Sequence, residues 1–409
     1  MNPLLMSAEA SAEPNVQEAS DGTPPAVAPS APTQTLRIMF LIGEFGIGGA
    51  ERQALALASA LRDLGHEIQL VALKDGPLRA SVETAEIPFR VLARPFRQSL
   101  ASVPALRRMF RTQRPHVVYA FLDLQWLLAI AARGRARMPR VVLGIRSSEY
   151  GVVPADRRGR IVHWLTRRFS GSADLLVANS ALGLYDFAHH ALDVPPGLVV
   201  PNGIDLARFA PLADVRAAQR AAWGLPSDAE VIGHVGRLHP VKQHERLLDA
   251  FAVLRRTRAH ARLVCVGDGP VDRVAALRRH AESLGIADAV TFVGGFDDVA
   301  RAYNTFDVLA LCSAREGFPN VVAEGMASGV PAVVTDVGAC ADIVGEHGEV
   351  VADADSVHLA QAMERLLNRR SPALSARCRD HVLSSYTLSH VAQRTAEVFA
   401  ELAAGRVSW

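Results

Sequence analysis

The sequence predicts a two-domain α/β protein in which each domain is a doubly wound parallel sheet. Three observations lead to this class. The 409 residues exceed what one ordinary core supports, so two domains are expected. Short β-branched runs alternate with stretches that are long enough for helices. These runs are apolar almost throughout, which indicates strands that are buried on both faces of a parallel sheet.

Two series of strands are predicted, one for each domain. The first series comprises Leu36–Ile42, Glu67–Leu73, His116–Leu122, Arg140–Ile145 and Asp174–Asn179. The second series comprises Val231–Val235, Arg262–Val266, Val290–Val293, Val308–Leu311, Ala332–Thr335 and Glu349–Ala352. A Pro-Asn-Gly turn at 201–203 separates the two series. We therefore place an N-terminal domain at 35–200, a C-terminal domain at 201–388, and over 389–409 a last helix that can pack back on the N-terminal domain.

Composition predicts a soluble, cytoplasmic protein. The chain is 49% hydrophobic and 21% charged, which is typical of globular domains. Residues 1–34 hold four carboxylates and no Lys or Arg, so we predict a disordered acidic tail and not a signal peptide. No run of about 18 uncharged apolar residues occurs, so no membrane span is predicted. The four cysteines form no C-x-x-C pair and are interpreted as buried free thiols in a reducing compartment.

Positive charge is concentrated in the N-terminal domain. The balance of Lys+Arg against Asp+Glu is 0 − 4 = −4 for residues 1–34, 22 − 13 = +9 for 35–200 and 22 − 25 = −3 for 201–409. Between Arg94 and Arg168 there are 16 arginines and three carboxylates. Such a surface can lie on anionic lipid headgroups. Nucleic acid is a less favoured partner, and a solvated arginine-rich face is the third interpretation.

A glycine-rich turn follows the first predicted strand. Gly43, Gly46, Gly48 and Gly49 precede a helical pattern, and such a turn lets a ligand approach the backbone closely. A dinucleotide fingerprint G-x-G-x-x-G starting at Gly46 would need glycine at position 51, which is Glu51. This mismatch argues against the dinucleotide-binding turn of a dehydrogenase. We interpret the turn as a site for a different ligand.

Two segments of the C-terminal domain predict a site for an activated sugar. Arg237 and Lys242 follow the strand Val231–Val235 and can bring two cations to one point at the carboxyl end of a parallel sheet. Glu316 and Glu324 flank a predicted helix start, where free backbone N–H groups and the helix dipole favour phosphate. Carboxylates accept hydrogen bonds from hydroxyls, so the ligand should carry both phosphate and many hydroxyl groups.

One D-x-D triplet, at 353–355, is similar to the metal-binding signature of the other large transferase fold. It follows the last predicted strand and precedes a helical run, as an N-cap region does. We interpret it as structural, and we expect no metal.

Four motifs in the expected order resemble the retaining glycosyltransferases of family 4, which have the GT-B fold. They are G-G-A-E-R at 48–52, P-N-G-I-D at 201–205, G-R-L-x-x-x-K at 236–242 and E-G-F-P-N-V-V-A-E at 316–324. The resemblance covers the chain from about residue 36 to its C-terminus and implies two Rossmann-like domains that face a cleft. In that family the two glutamates form the E-x7-E signature, which Glu316 and Glu324 match.

The resemblance implies catalytic roles for three residues. Arg237 and Lys242 would stabilise the charge that builds on the β-phosphate as the nucleotide leaves, in place of a metal. Glu316 would accept hydroxyls of the transferred sugar. Retention would follow from attack on the face from which the nucleotide departs, with a leaving phosphate oxygen taking the acceptor proton. No protein nucleophile and no cofactor are then required.

The remaining site residues are implied to bind the donor. Glu324 would accept the ribose hydroxyls, and Gly48 and Gly49 would lie near the pyrophosphate or the acceptor. The backbone of one short segment would hold sugar and phosphate, namely Gly317, Phe318, Pro319, Asn320 and Val321.

The sequence departs from the family in the N-terminal domain. Many members have a His-x-His pair after the strand that corresponds to His116–Leu122, whereas this chain has Tyr-Ala-Phe at 119–121. Asp123 can do the work of the missing histidine at the reacting centre, or the acceptor is bound in a different way. We therefore assign no acid or base in the N-terminal domain. The segment 146–149, Arg-Ser-Ser-Glu, can line the acceptor side or can be a plain loop.

We expect a metal-independent retaining hexosyltransferase of polysaccharide, lipopolysaccharide or other cell-envelope biosynthesis. Its donor is a nucleotide diphosphate sugar, with uridine favoured over guanosine, and its acceptor is a glycan or a lipid-linked glycan. The basic domain would then rest on the inner face of the cytoplasmic membrane. Two alternatives stay open: a nucleotide-sugar epimerase or hydrolase of the same fold, and a non-catalytic nucleotide-sugar binding subunit.

Overall fold

A computed structural model of the chain describes residues 34–46, 48–92, 101–136, 138–148, 150–352 and 355–406. The predicted acidic tail falls almost entirely outside these ranges, as do Glu149 and Asp353. Two parallel sheets of seven and six strands, with helices between successive strands, form the described part. The predicted α/β class with two doubly wound domains is therefore confirmed.

The first sheet has the strand order β3-β2-β1-β4-β5-β6-β7. Its strands are β1 (Arg37–Glu44), β2 (Glu67–Lys74), β3 (Phe89–Val91), β4 (Val117–Phe121), β5 (Arg140–Ile145), β6 (Leu175–Ala178) and β7 (Gly197–Val199). The intervening helices are α1 (Gly49–Asp63), α2 (Arg79–Thr84), α3 (Ser102–Gln113), α4 (Asp123–Arg133), α5 (Arg157–Phe169) and α6 (Ala181–His190). All strand pairs are parallel.

The second sheet has the order β10-β9-β8-β11-β12-β13. Its strands are β8 (Glu230–Val235), β9 (Ala261–Val266), β10 (Val290–Gly294), β11 (Val308–Leu311), β12 (Ala332–Thr335) and β13 (Glu349–Val351). The helices are α7 (Ala213–Ala222), α8 (His244–Leu254), α9 (Val271–Ser283), α10 (Val299–Tyr303), α11 (Asn320–Ala327), α12 (Cys340–Val344), α13 (Ser356–Arg369), α14 (Pro372–Ser385) and α15 (Leu388–Ala403).

The eleven predicted strands are all present, and the two strands that were not predicted lie at the edges of the first sheet. Strands β3 and β7 have three residues each and no fully buried position. An edge strand pairs on one side only, so it needs neither length nor a continuous apolar run. The hydrophobic pattern therefore identifies all the interior strands and also β10 and β13, the edge strands of the second sheet, but misses these two.

Each sheet is covered on both faces, so four layers of apolar side chains form the cores. The last helix, α15, packs with α1 on the first sheet, although it follows the second domain in sequence. The Phe399 ring lies 5.2 Å from the Tyr119 ring, measured between centroids. The chain thus crosses back to the first domain at its end, and the start of this crossing is marked by a bridge between Ile204 and Thr387.

Several smaller predictions are confirmed. The four cysteines are free and buried. The side chain of Asp355 accepts hydrogen bonds from the backbone N–H groups of Val357 and His358, as an N-cap of α13 does. None of the described helices combines the length and apolarity that crossing a bilayer requires.

Candidate active site

The carboxyl ends of both sheets face one another across a cleft. Parallel strands end at a common edge, so the loops that follow β1, β4, β5 and β6 lie together, and those that follow β8 and β11 lie together. Two contacts join these loop sets. The Ser148 hydroxyl donates a hydrogen bond to the carbonyl oxygen of Glu316. A Cβ at Gly317 would lie 2.8 Å from the Arg146 carbonyl oxygen and 2.9 Å from Asn179 Oδ1. Glycine at this position therefore lets the two domains approach.

The predicted cation Lys242 and the predicted sugar-binding Glu316 form an ion pair. The distance from Lys242 Nζ to Glu316 Oε1 is 2.5 Å, and the two side chains are 19% and 12% exposed. A short turn at Pro240–Lys242 presents the lysine, and the Ala314 N–H donates to the Val241 carbonyl at 2.8 Å. This backbone bond holds the lysine turn against the loop that carries Glu316.

Arg237 lies at the end of β8 with its side chain exposed. Within the described part of the chain its guanidinium makes no hydrogen bond and no ion pair. It lies near Glu51 of the first domain, and its positive charge partly offsets the effects that raise the pKa of that carboxyl. Burial is the largest of these effects, and the neighbouring Glu44 adds to it. Arg237 is thus a cation that an anionic ligand can recruit.

Two helix starts meet in the cleft. Helix α1 begins at Gly49 and α11 begins at Asn320, and neither N-cap residue, Gly48 or Pro319, caps its helix with a side chain. In the first turn of α1 the Glu51 carboxylate accepts a hydrogen bond from its own backbone N–H, and the other N–H groups remain. A Cβ at Gly49 would lie 3.6 Å from Nδ2 of Asn320, so the two starts are in near contact. Uncapped N–H groups and the positive ends of two helix dipoles therefore face the same space, which suits the two phosphates of a nucleotide diphosphate.

Glu324 lies one turn into α11 and is partly exposed. Its Oε2 accepts a hydrogen bond from the Tyr303 hydroxyl at 2.7 Å. Burial raises the pKa of Glu324, and the Tyr303 hydrogen bond and the charges of Arg208 and Arg52 act in the opposite direction. With Oε2 held by tyrosine, Oε1 is the atom that remains to accept a ligand hydroxyl.

The other predicted donor-binding residues follow the same segment. The Phe318 side chain is buried and packs edge-on against Tyr386, with 5.4 Å between centroids, so it anchors the loop and leaves contact with a ligand to the backbone. Pro319 precedes α11, and Val321 packs partly against the core of the second domain. Gly48 precedes α1 and lies beside the Glu51 carboxylate.

A chain of polar side chains that was not predicted runs from the first domain to Asn320. Arg146 Nη1 donates to Asn202 Oδ1 at 3.0 Å, and Asn202 Nδ2 donates to Asn320 Oδ1 at 2.7 Å. The Asn320 amide is therefore oriented with its N–H₂ group toward Gly49. Asn202 belongs to the Pro-Asn-Gly turn, which we interpreted as a domain boundary and as part of one of the four family motifs, without assigning a role to Asn202. Asn202 is buried and therefore needs hydrogen-bond partners, but its burial is visible only in the structure. The P-N-G-I-D motif was the signal available in the sequence.

The Tyr-Ala-Phe segment, which stands where many family members have His-x-His, supports Arg146. Tyr119 and Phe121 are buried, and the Arg146 guanidinium lies over the Phe121 ring at 4.4 Å from its centroid. The Tyr119 hydroxyl accepts a hydrogen bond from Arg146 Nη2. This segment therefore supplies a cation–π platform for arginine and no acid or base.

Asp123 begins α4, directly after β4, on the cleft side of the first sheet. Burial raises its pKa to about 6, and a hydrogen bond from the Tyr150 hydroxyl at 2.9 Å partly opposes this rise. The preceding Leu122 has φ = 73°, a conformation that is strained for a residue with a side chain. Asp123 is thus a half-buried carboxyl whose charge changes near neutral pH. Across the described ranges, no three side chains of His, Cys, Asp or Glu are grouped as metal ligands would be.

The chain is similar to known proteins in both sequence and fold. A model for glycosyltransferase family 4 matches residues 47–208, and a model for glycosyl transferases group 1 matches residues 229–369. The Bacillus subtilis protein EpsF, whose name describes it as a glycosyltransferase, is 29% identical over 307 residues, which is 73% of this chain and 79% of EpsF. The D-inositol 3-phosphate glycosyltransferase of Saccharomonospora viridis is 35% identical over 228 residues, and the match spans about half of each chain, 51%.

Solved structures share the fold. HepE of Anabaena, determined in complex with UDP-glucose, superposes with a TM-score of 0.78 at 23% identity and covers 90% of this chain and all of its own, 100%. WaaG, a glycosyltransferase of lipopolysaccharide biosynthesis, superposes with a TM-score of 0.69 at 19% identity over 88% of this chain and 99% of its own. One of the two family models matches each domain. These matches agree with the two-sheet fold and with the E-x7-E segment, and together they identify the family of the chain. It belongs to the family 4 glycosyltransferases of the GT-B fold.

Proposed function

We propose that this protein transfers a hexose from a UDP-linked donor to a glycan or lipid-linked glycan in polysaccharide or cell-envelope biosynthesis, with retention of configuration and without a metal. The observation that carries the proposal is the meeting, in one cleft, of two uncapped helix starts, the cation Arg237 and the Lys242–Glu316 pair. This combination suits a ligand that is anionic at one end and rich in hydroxyls at the other.

Donor binding would use both sides of the cleft. The pyrophosphate would lie between the starts of α1 and α11, where Arg237 can reach it. The ribose hydroxyls would bind the free Oε1 of Glu324, and the sugar hydroxyls would bind Glu316. The structure of HepE with UDP-glucose supports a uridine donor by analogy of fold.

In the reaction, the bond between the anomeric carbon and the β-phosphate oxygen breaks, and the acceptor hydroxyl bonds to the same face of the sugar. The acceptor proton passes to the departing phosphate oxygen. Lys242 and Arg237 would offset the charge that grows on that phosphate. Positioned charges of this kind contribute about 3–4 kcal/mol each to lowering a barrier in a cleft that excludes water.

The test uses the purified chain in two steps. Thermal shift with a panel of UDP- and GDP-linked sugars identifies the donor. A ligand that binds only the folded state stabilises it by RT ln(1 + [L]/Kd), so the melting temperature rises with the logarithm of the ligand concentration above Kd. We expect UDP-sugars to stabilise, equally with and without EDTA. NMR of the product should then show the anomeric configuration of the donor.

Incubation with donor alone separates the alternatives. A transferase leaves the donor largely intact until an acceptor glycan is added. Accumulation of a different sugar isomer or of free sugar without acceptor would establish the epimerase or hydrolase function in its place. Tight UDP-sugar binding with no turnover on any glycan or glycolipid acceptor would establish a binding subunit.

A further inference from the structure

Helix α5 exposes its largest apolar side chains and fully buries polar ones. Its fully buried residues are His163 and Thr166, whereas Ile161 and Trp164 are 51% and 60% exposed. Phe169, at the end of the helix, is also exposed. A surface helix of a globular domain ordinarily turns its apolar stripe to the core. The outward stripe of α5 therefore calls for a partner outside the domain.

The exposed apolar side chains continue on the neighbouring segments. Leu182 and Tyr185 of α6 are exposed, as are Leu192 and Val194, which follow it. The Leu192 N–H donates to the Arg167 carbonyl at 3.2 Å, so the ends of α5 and α6 are joined. We call these residues, with Val152 and Val153 of the loop before α5, the α5–α6 face. A cluster of this kind marks an interaction site more often than scattered exposed residues do.

Arginines surround the apolar side chains. Arg157, Ile161, Trp164 and Arg168 have the spacing of one helix stripe and are all exposed. Arg160 is exposed beside them. Among the described residues, no carboxylate forms an ion pair with Arg157, Arg160 or Arg168. These three guanidiniums therefore have no carboxylate partner in the described part of the domain, and they outnumber the exposed carboxylates of the same segments, Asp156 and Asp193.

The α5–α6 face borders the cleft. The loop between β5 and α5 carries Arg146 and Ser148, which contact Asn202 and the Glu316 backbone, before it reaches the exposed Val152. Helix α6 begins at Ala181, two residues after Asn179, whose side chain faces Gly317. The starts of α5 and α6 therefore adjoin the cleft, whereas Phe169 and Leu192 lie at the far ends of the helices. A molecule that covers the face would thus reach the acceptor side of the candidate active site at the helix starts.

We propose that the α5–α6 face docks on an anionic phospholipid bilayer, with α5 lying in the interface and Trp164 and Ile161 inserted among the headgroups. A helix with an apolar stripe flanked by arginines binds such an interface through both parts. A second copy of this chain fits less well, because a two-fold contact would oppose the same arginines to one another. Nucleic acid would pair with the arginines and leave the exposed aliphatic side chains in water.

This inference deepens the proposed function, on which it rests for the lipid-linked acceptor. An acceptor whose lipid stays in the bilayer would present its glycan next to the docked α5–α6 face and thus at the mouth of the cleft. Docking itself requires neither donor nor acceptor, so the two proposals can fail independently.

The experiment is flotation of the full chain with vesicles of phosphatidylcholine alone or mixed with phosphatidylglycerol. We expect binding to the mixed vesicles that weakens with salt. Trp164→Ser combined with Ile161→Ser, and Arg157→Gln combined with Arg160→Gln, should each reduce the partition coefficient by about tenfold or more, since one basic residue contributes about fivefold. Trp164→Phe should keep binding and remove the blue shift of tryptophan emission on vesicle addition.

Matched controls come from α9 of the second domain, where Val271, Arg278 and Arg279 are exposed. Val271→Ser and Arg278→Gln with Arg279→Gln change the same chemistry elsewhere and should leave vesicle binding unchanged. UDP-sugar thermal shifts should be the same in all these variants, which separates docking from donor binding. Three outcomes would overturn the proposal. The α9 variants could lose as much vesicle binding as the α5 variants, or vesicle binding could be independent of the phosphatidylglycerol content. Light scattering could also show that the chain is a dimer that Trp164→Ser dissociates.

Discussion

The two halves of the cleft differ in how their polar side chains are held. In the second domain, which we propose to be the donor half, Lys242 is paired with Glu316 and Glu324 with Tyr303 before any ligand is considered. In the first domain, the proposed acceptor half, Arg146 rests on two aromatic rings and Asp123 is held by a single tyrosine hydroxyl. Under the proposed function, the donor half is arranged for a fixed chemistry, whereas the acceptor half supplies shape and surface. The predictions below test this contrast.

The largest effect is expected from Lys242→Ala in the donor half. It removes a cation from the leaving phosphate and leaves the Glu316 carboxylate without its partner. We expect the transfer rate to fall by about 10²–10³-fold. The chain has one other lysine, Lys74, which is 55% exposed and serves as the matched control. Equal rates for Lys242→Ala, Lys74→Ala and the parent chain would exclude Lys242 from the reaction.

Gly317→Ala tests the contact between the halves. The added Cβ would lie within 3 Å of two atoms of the first domain, so the domains must separate slightly. We expect a loss of about 1–3 kcal/mol in unfolding free energy, measured by urea denaturation, with a lower transfer rate. Asn179→Ala removes one of the two contacts and should restore part of the loss. An additive double variant would show that Asn179 is not the obstacle.

Asp123 tests the acceptor half through pH. Burial raises its pKa to about 6 in the folded chain, so the neutral carboxyl is favoured there. The stability that the folded chain gains from holding this carboxyl in its neutral form is fully present below the unfolded pKa of about 4. That stability is lost as the pH rises through the folded pKa of about 6. The change in unfolding free energy caused by Asp123→Asn should therefore favour the variant more at pH 8 than at pH 4. We expect the two values to differ by about 1–2 kcal/mol after allowance for solvent screening, measured by urea denaturation at both pH values. Asp63→Asn, at a side chain that is 66% exposed, should show no such difference.

The smallest effect is expected from Asn202→Ala, which breaks the link from Arg146 to Asn320. The Asn320 amide loses its fixed orientation, and we expect the KM for donor to rise by about fivefold to tenfold. Asn304→Ala is the control, because Asn304 is a buried, hydrogen-bonded asparagine of the second domain. It should lower stability and leave the KM unchanged. If both variants change the KM alike, the link has no special role.

Sequence reasoning recovered the donor half better than the acceptor half. Arg237, Lys242, Glu316 and Glu324 lie in short local motifs, and each motif was readable without knowledge of its partners. The structure brings them to one cleft, while their individual roles stay predictions. The acceptor half was harder because its features are made by residues far apart in sequence. Arg146, Asn202 and Asn320 meet over separations of 56 and 118 residues.

The sequence by itself determined eleven of the strands, the helix start after Pro319 and the excess of arginine in the first domain. Apolar runs and local motifs depend on neighbouring residues, so they can be read along the chain. The tertiary structure decided which arginines are covered, that α5 turns Trp164 outward, and that α15 returns to the first sheet. These outcomes depend on which surfaces meet after folding, and a linear pattern does not contain that information.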